Sequence, residues 1–171
     1  AWLVSRGISP ERMLLLTFTN RAAREMLERA RALVGPAVAG VWGGTFHHLA
    51  NRVLRRYADR IGYGHDYTIL DRDDSRSLIG QGVKELNLQS KDFPKKDVLL
   101  GLIGSAANTG LPIADIIQAR FEHEDVDEDS VLAVCRGYES RKRKLDAMDF
   151  DDLLVNCQKL FREHPEVLGS Y

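Results

Sequence analysis

Two short apolar runs, each passing straight into an amphipathic helix, set the strongest limit on how this chain folds. The first is Met13-Leu14-Leu15-Leu16-Thr17-Phe18 and the second Val41-Trp42-Gly43-Gly44-Thr45-Phe46. Each has the length of a buried strand. After the first, Thr19 or Asn20 can cap a helix. Ala22, Ala23, Met26, Leu27, Ala30, Leu33 and Val34 then recur at helical spacing, with Glu25 and Arg29 four apart on the polar side. Gly35-Pro36 stops that helix. After the second run a helix spans about Phe46 to Ile61, with Phe46, Leu49, Ala50, Val53, Leu54 and Tyr57 as its buried stripe. Strand–helix–strand–helix with short connections predicts parallel βα units. Two strands do not close a sheet, so this α/β portion reads as incomplete.

Beyond Gly62 the period is helical almost throughout. Tyr67-Thr68-Ile69-Leu70 is a short extended entry, and Asp71 caps a helix with Asp74 in its first turn. Further stripes are Val98, Leu99, Leu102, Ile103 and Ala106, then Ile113, Ile116, Ile117 and Phe121. Pro94 and Pro112 fit first-turn positions. Val131, Val134, Cys135, Tyr138 and Leu145 mark a longer helix. Phe150, Leu153, Leu154, Cys157, Leu160 and Phe161 mark the last, which ends before Pro165. The expected fold class is α/β and predominantly helical: part of a parallel sheet plus an all-helical unit.

Composition excludes several classes. Charged residues are 29% and apolar residues 44%, which rules out wholesale disorder. No uncharged apolar run is long enough to span a membrane, and the first residues do not read as a signal peptide. Two cysteines, Cys135 and Cys157, stand on apolar stripes and form no CxxC pair. They read as core residues in a reducing, cytoplasmic compartment. Residues 1–62 carry ten Arg, no Lys and four acidic residues, a surplus of six positive charges, while residues 63–171 carry a deficit of seven. A basic first third suits a phosphate-facing surface or a set of solvated helix faces.

No complete catalytic site is present. There is no GxxxxGK[ST] phosphate loop, and Gly43-Gly44-Thr45 lacks the lysine. GxSxG, HExxH, GxGxxG and a strand-ending Asp-Glu pair are all missing. Adjacent His47 and His48 point about 100° apart on a helix, so no shared metal is expected. Asp149-Phe150-Asp151-Asp152 reads as a helix cap with acidic first-turn residues. Arg141-Lys142-Arg143-Lys144 reads as a solvated face. The two strand ends are the candidate site. Thr17-Phe18-Thr19-Asn20 and Gly44-Thr45-Phe46-His47 place hydroxyls, aromatics, an amide and an imidazole where parallel sheets bind ligands, at helix N-termini that favour anions. Capping threonines around a core Phe18 are the structural alternative.

Leu14-Leu15-Leu16-Thr17-Phe18-Thr19-Asn20-Arg21-Ala22-Ala23-Arg24-Glu25-Met26 resembles motif Ia of the UvrD/Rep/PcrA-type superfamily 1 DNA helicases. Gly44-Thr45-Phe46-His47, with Leu49, Arg52 and Leu54, resembles their motif Ib. Tyr67–Asp71 and Met148–Leu154 resemble the two ends of their inserted helical subdomain. The resemblance spans essentially the whole chain. It implies an internal fragment: residues 1–56 a partial RecA-like (P-loop NTPase) portion of subdomain 1A, residues 57–148 a helical 1B-like subdomain, and residues 149–171 a return helix toward 1A. It implies a parent protein that is an ATP-dependent 3′–5′ DNA helicase and translocase using ATP and Mg²⁺. No ATP chemistry and no bound cofactor are expected in this piece.

By position, the resemblance makes Phe18 the aromatic that meets a DNA base, with Thr17, Thr19 and Asn20 as polar neighbours and Arg21 on a phosphate. Thr45, Phe46 and His47 form the second contact loop. The implied partners are single-stranded DNA and its junction with duplex, with a protein partner for the helical subdomain. The family pattern has a basic residue where Asn108 stands, and this chain departs from it. Two other readings remain open: the helicase core of a RecB-like helicase–nuclease, and a non-enzymatic helical module binding protein or DNA.

Overall fold

The computed structural model describes residues 2–171. Helices dominate, and the strands form two separate two-stranded parallel sheets. After a short helix α1 (Trp2–Ser5), β1 (Leu14–Thr17) runs into α2 (Asn20–Val34), and β2 (Trp42–Thr45) into α3 (Phe46–Tyr57). β1 and β2 pair in parallel, Leu14 opposite Trp42 and Thr17 opposite Thr45, so their carboxyl ends are level. Gly43 makes the packing of α2 on this sheet possible: a Cβ there would lie 2.6 Å from Leu27 Cδ1. α2 ends where Gly35 adopts φ +68°, a conformation that suits glycine.

α3 passes through a 3₁₀ turn (Ala58–Ile61) to a two-residue strand β3 (Thr68–Ile69). Four helices follow: α4 (Arg72–Glu85), α5 (Lys96–Thr109), α6 (Ile113–Phe121) and α7 (Glu128–Lys144). The chain returns through β4 (Ala147–Met148) to α8 (Phe150–Glu163) and α9 (Pro165–Leu168). β4 lies parallel to β3, Thr68 opposite Ala147 and Ile69 opposite Met148, so the chain comes back beside the point from which it left. Asp146 turns the chain into β4 at φ +48°, and its carboxylate accepts the Gly64 N–H at 2.9 Å. Asx side chains that bond the backbone tolerate this conformation.

Two apolar cores form. One joins α4, α5, α6 and α7 around Ile79, Leu99, Ile117, Val131, Val134 and Tyr138. The other joins α3 to α8 around Val53, Leu54, Tyr67, Met148, Leu153 and Leu160. Cys135 and Cys157 are buried, unpaired members of these cores. Among the described residues, no helix is long and apolar enough to cross a membrane.

The structure corrects several expectations. Leu145 is exposed because α7 ends at Lys144 and Leu145 only caps it. Phe150 opens α8 and is exposed rather than part of its buried stripe. Met26 and Leu33 are exposed because two strands cover too little of α2; its one buried residue is Ala23. Pro112 caps α6 from outside its first turn, and Pro94 lies before Lys95, the cap of α5. The Arg141–Lys144 run is only partly a solvated face, with Arg143 and Lys144 exposed. Lys142 is buried, Arg141 pairs with Glu85, and Arg143 stacks on Tyr63 at 4.0 Å while donating to the Ile61 carbonyl.

Candidate nucleic-acid interface

The level ends of β1 and β2 bring the two turns side by side. In the first, Thr17 Oγ1 donates to the Thr19 carbonyl at 2.9 Å, and Thr19 Oγ1 accepts the Ala22 N–H at 3.1 Å. Thr17 and Thr19 thus clamp the backbone on both sides of Phe18. With its neighbours fixed, Phe18 points away from the protein and is 92% exposed. A large aromatic so fully in water is not a core residue. In the second turn Thr45 Oγ1 accepts the His48 N–H at 3.2 Å, capping α3. Phe46 follows, exposed, with its ring centroid 5.7 Å from that of Phe18 and tilted 45°. The expectation that Phe46 belongs to the buried stripe of α3 gives way to this pairing.

The hydroxyls differ in what they have left to offer. Thr19 and Thr45 spend acceptor capacity on the helix and keep an O–H to donate. Thr17 spends its O–H on the backbone and keeps lone pairs. Asn20 begins α2 and is exposed. Arg21 follows, its side chain 89% exposed and 3.0 Å from Glu25. Such a surface pair is worth about 0.3–0.5 kcal/mol, too little to hold the guanidinium from a stronger anion. His47 is half-buried, its ring 6.1 Å from Phe150 in an edge contact.

All eight sequence-predicted residues therefore fall on one edge, and Thr17, Phe18, Phe46 and His47 form one wall of an open cleft of about 480 Å³. The opposite wall was not anticipated. It comes from Ala107 and Asn108 at the end of α5 and from Asp151, Leu154, Val155 and Gln158 on α8. Asn108 Nδ2 donates back to the Gly104 carbonyl at 2.8 Å. The 3.6-residue period places positions 151, 154, 155 and 158 on one face of α8, so the face was legible but its target was not.

As expected, the three clustered aspartates open α8 as its cap and first-turn acids, and two of them have a further structural partner. Asp149 and Asp152 form a reciprocal capping box and both hold the buried Lys142 ammonium, at 2.8 and 2.7 Å. Burial pushes the Asp149 carboxyl up, but Lys142 outweighs it and holds Asp149 below the usual range. Asp151 makes no side-chain hydrogen bond or ion pair with another described residue. Burial and the nearby Asp149 charge raise its carboxyl, against the opposing pull of Lys142 and His47. No group of three His, Cys, Asp or Glu side chains arranged to hold a metal ion occurs among the described residues.

Parallel strands running into capped helices, with a cleft at their carboxyl ends, mark an α/β chain whose cleft lies where open parallel sheets commonly bind ligands. The chain belongs to the UvrD/REP helicase N-terminal domain family, whose model matches residues 1–171. It is 40% identical over 169 residues to the ATP-dependent DNA helicase PcrA of Staphylococcus aureus, and 37% identical to that of Staphylococcus epidermidis. In both cases the match covers 99% of this chain and 23% of the relative, so the chain spans about a quarter of their length.

Proposed function

We propose that this chain is the single-strand-contacting part of an ATP-dependent 3′–5′ DNA helicase and translocase. In this reading residues 1–56 and 149–171 belong to a RecA-like portion, and residues 57–148 are a helical subdomain inserted into it. The return of the chain at β4 beside β3 supports the insertion. The two separate apolar cores agree with it. The helical unit is offered to a duplex junction or to a protein partner.

One observation carries the reading: the exposed Phe18 ring, held outward between two backbone-bonded threonines and paired with Phe46. A base stacks on Phe18, and Phe46 supports the ring from beside it. Thr19 and Thr45 donate to phosphate oxygens, and the free N–H groups at the starts of α2 and α3 add to that field. Arg21 swings from Glu25 to a phosphate. Thr17 acts on the strand indirectly, by shaping the loop. Asn20 and His47 supply side-chain hydrogen bonds at either end of the contact.

ATP and Mg²⁺ are the cofactors that the family name implies, and the residues present do not fit them. The carboxyl ends of β1 and β2 carry threonines, with neither a phosphate-loop lysine nor a carboxylate pair. This chain is therefore proposed to bind DNA without hydrolysing ATP.

The test is fluorescence anisotropy of a labelled single-stranded oligonucleotide at low salt. Stacking is worth about 1–3 kcal/mol per base, so Phe18→Ala weakens binding by about fivefold to 150-fold. Equal binding by the two proteins would remove Phe18 from the interface and with it the reading.

A further inference from the structure

Phe18 and Phe46 give the cleft its stacking wall. The facing wall has a different chemistry and a different use. Its polar groups are the amides of Asn108 and Gln158 and one carboxylate, Asp151, with the apolar Leu154 and Val155 between them. Among the described residues, no Lys or Arg lines the cleft. Phosphates are drawn to cations and helix N-termini and repelled by a carboxylate, so the backbone of a bound strand runs along the α2 side. The α8 side is left to the bases.

Among the described residues of that wall Asp151 carries the one fixed charge, and it lines the cleft from the first turn of α8. Gly104 of α5 makes the room: a Cβ on Gly104 would lie 3.0 Å from Asp151 Oδ2. Asp149 and Asp152 are consumed by the capping box and by Lys142, whereas Asp151 has no such partner. A half-buried carboxylate that lines a cleft and has no protein partner can exchange water for a ligand donor. Bases provide one in the exocyclic amino group. The cytosine 4-amino group is the donor that Asp and Glu accept from, and the corresponding position of uracil is a carbonyl that repels a carboxylate.

We propose that Asp151 is a specificity-determining residue of the single-strand cleft, accepting a hydrogen bond from the exocyclic amino group of a base stacked near Phe18. This rests on the single-strand reading above. The result is a mild preference for amino-bearing bases over thymine or uracil, small enough for a strand of any sequence to pass. One charge-assisted hydrogen bond in a solvent-open cleft corresponds to about threefold to tenfold in affinity.

The test compares deoxycytidine and deoxyuridine homopolymers of equal length, which differ at the 4-position of the ring and its adjoining N3. Binding is measured to the unaltered chain, to Asp151→Asn and to Phe18→Ala. Asp151→Asn removes no hydrogen bond within the protein, and its melting temperature is measured alongside to establish that it folds. The expected result is that the chain favours deoxycytidine about threefold to tenfold and that Asp151→Asn levels the two, since an amide meets a carbonyl as well as an amino group. An absent preference, or one that survives in Asp151→Asn, overturns the proposal. Phe18→Ala separates the two failures. If it weakens both polymers while Asp151→Asn leaves their ratio unchanged, the single-strand reading stands and only the role of Asp151 falls. If it weakens neither, both fall.

Discussion

Removing the Lys142 ammonium tests how the end of α7 is fastened to the start of α8. The side chain is 2% exposed, and its Nζ lies 2.8 Å from Asp149, 2.7 Å from Asp152 and 2.9 Å from Glu139. It also stands 4.6 Å from the Tyr138 ring centroid, and the Tyr138 hydroxyl donates to Asp149 at 2.9 Å. Lys142→Met keeps most of the aliphatic packing and deletes the charge. Three carboxylates then face one another around a void in positive charge. Leaving a buried ionic group uncompensated costs about 3–5 kcal/mol. For a chain of this size each kcal/mol moves the melting temperature about 2–4 °C, so the expected fall is roughly 6–20 °C at neutral pH.

The pH dependence identifies the cause. In the unaltered chain Asp149 is held below its ordinary value, so its stabilisation is present above the unfolded pKa and is lost as pH falls through the folded one. Burial lowers the Lys142 pKa, but its three carboxylates outweigh burial and raise it. Its stabilisation is therefore present below the unfolded pKa and is lost only as pH rises through the folded one. Burial raises the Asp152 and Glu139 carboxyls in the unaltered chain, so these two run the other way and lose stability as pH rises from their unfolded to their folded pKa. In Lys142→Met, burial and mutual repulsion raise the carboxylates, which take up protons at a higher pH than in the unaltered chain. The difference in melting temperature should shrink as pH is lowered from neutral. A fall of less than about 2 °C at neutral pH, or one of equal size at neutral and acidic pH, refutes the reasoning.

Two further predictions concern the interior. Gly43→Ala drives a methyl against Leu27, at 2.6 Å from Cδ1 and 3.0 Å from Cγ. It lowers stability by about 1–3 kcal/mol, read as a lower urea midpoint, and an unmoved midpoint would mean that Leu27 simply re-rotates. Burial pushes the Cys135 and Cys157 thiols up to about 11, with the Glu139 charge adding at Cys135. Both therefore resist a thiol-reactive dye at about pH 8, where a free cysteine near its ordinary pKa of about 8.5 reacts. Labelling proceeds at the rate of unfolding, and rapid labelling of the folded chain would contradict the burial.

What was legible in the sequence was local. The stop of α2 at Gly35 and the caps Thr19, Asp71 and Asp149 depend on chemistry within a few residues, and all are present. β3 and β4 are two residues each and find each other across the whole helical excursion. No local period announces such a pair. Lys142 was hidden by its company. Four consecutive basic residues suggest a solvated face, yet position 142 continues the stripe of Val131, Val134, Cys135 and Tyr138 at i+4. That stripe, followed by an Asp-rich helix start, was the available signal for a buried ammonium. The near wall of the cleft followed from motif and cap chemistry. The far wall needed the tertiary approach of α5 to α8, which no single segment encodes.

α8 shows why the core and the cleft are set together. Leu153, Cys157 and Leu160 turn into the core with α3. Asp149 and Asp152 fix the first turn to Lys142 on α7. These two constraints adjoin on one side of the helix and together hold its rotation about the axis. The remaining face, with Asp151, Leu154, Val155 and Gln158, must then point toward Phe18 and Phe46. A rotation of one residue, about 100°, would bury Asp151 and expose a core leucine, so any register that keeps the core also keeps the wall. The same holds across the cleft, because α3 carries Val53 and Leu54 into that core and Thr45 and Phe46 at its start. Phe46 and the α8 face thus belong to one packed pair of helices, while Phe18 enters from the β1–α2 turn and Asn108 from α5. The α3–α8 contact sets the spacing between Phe46 and the α8 face. For that reason substitutions in the α3–α8 core should change binding by shifting a wall, whereas Phe18→Ala changes it by removing a contact.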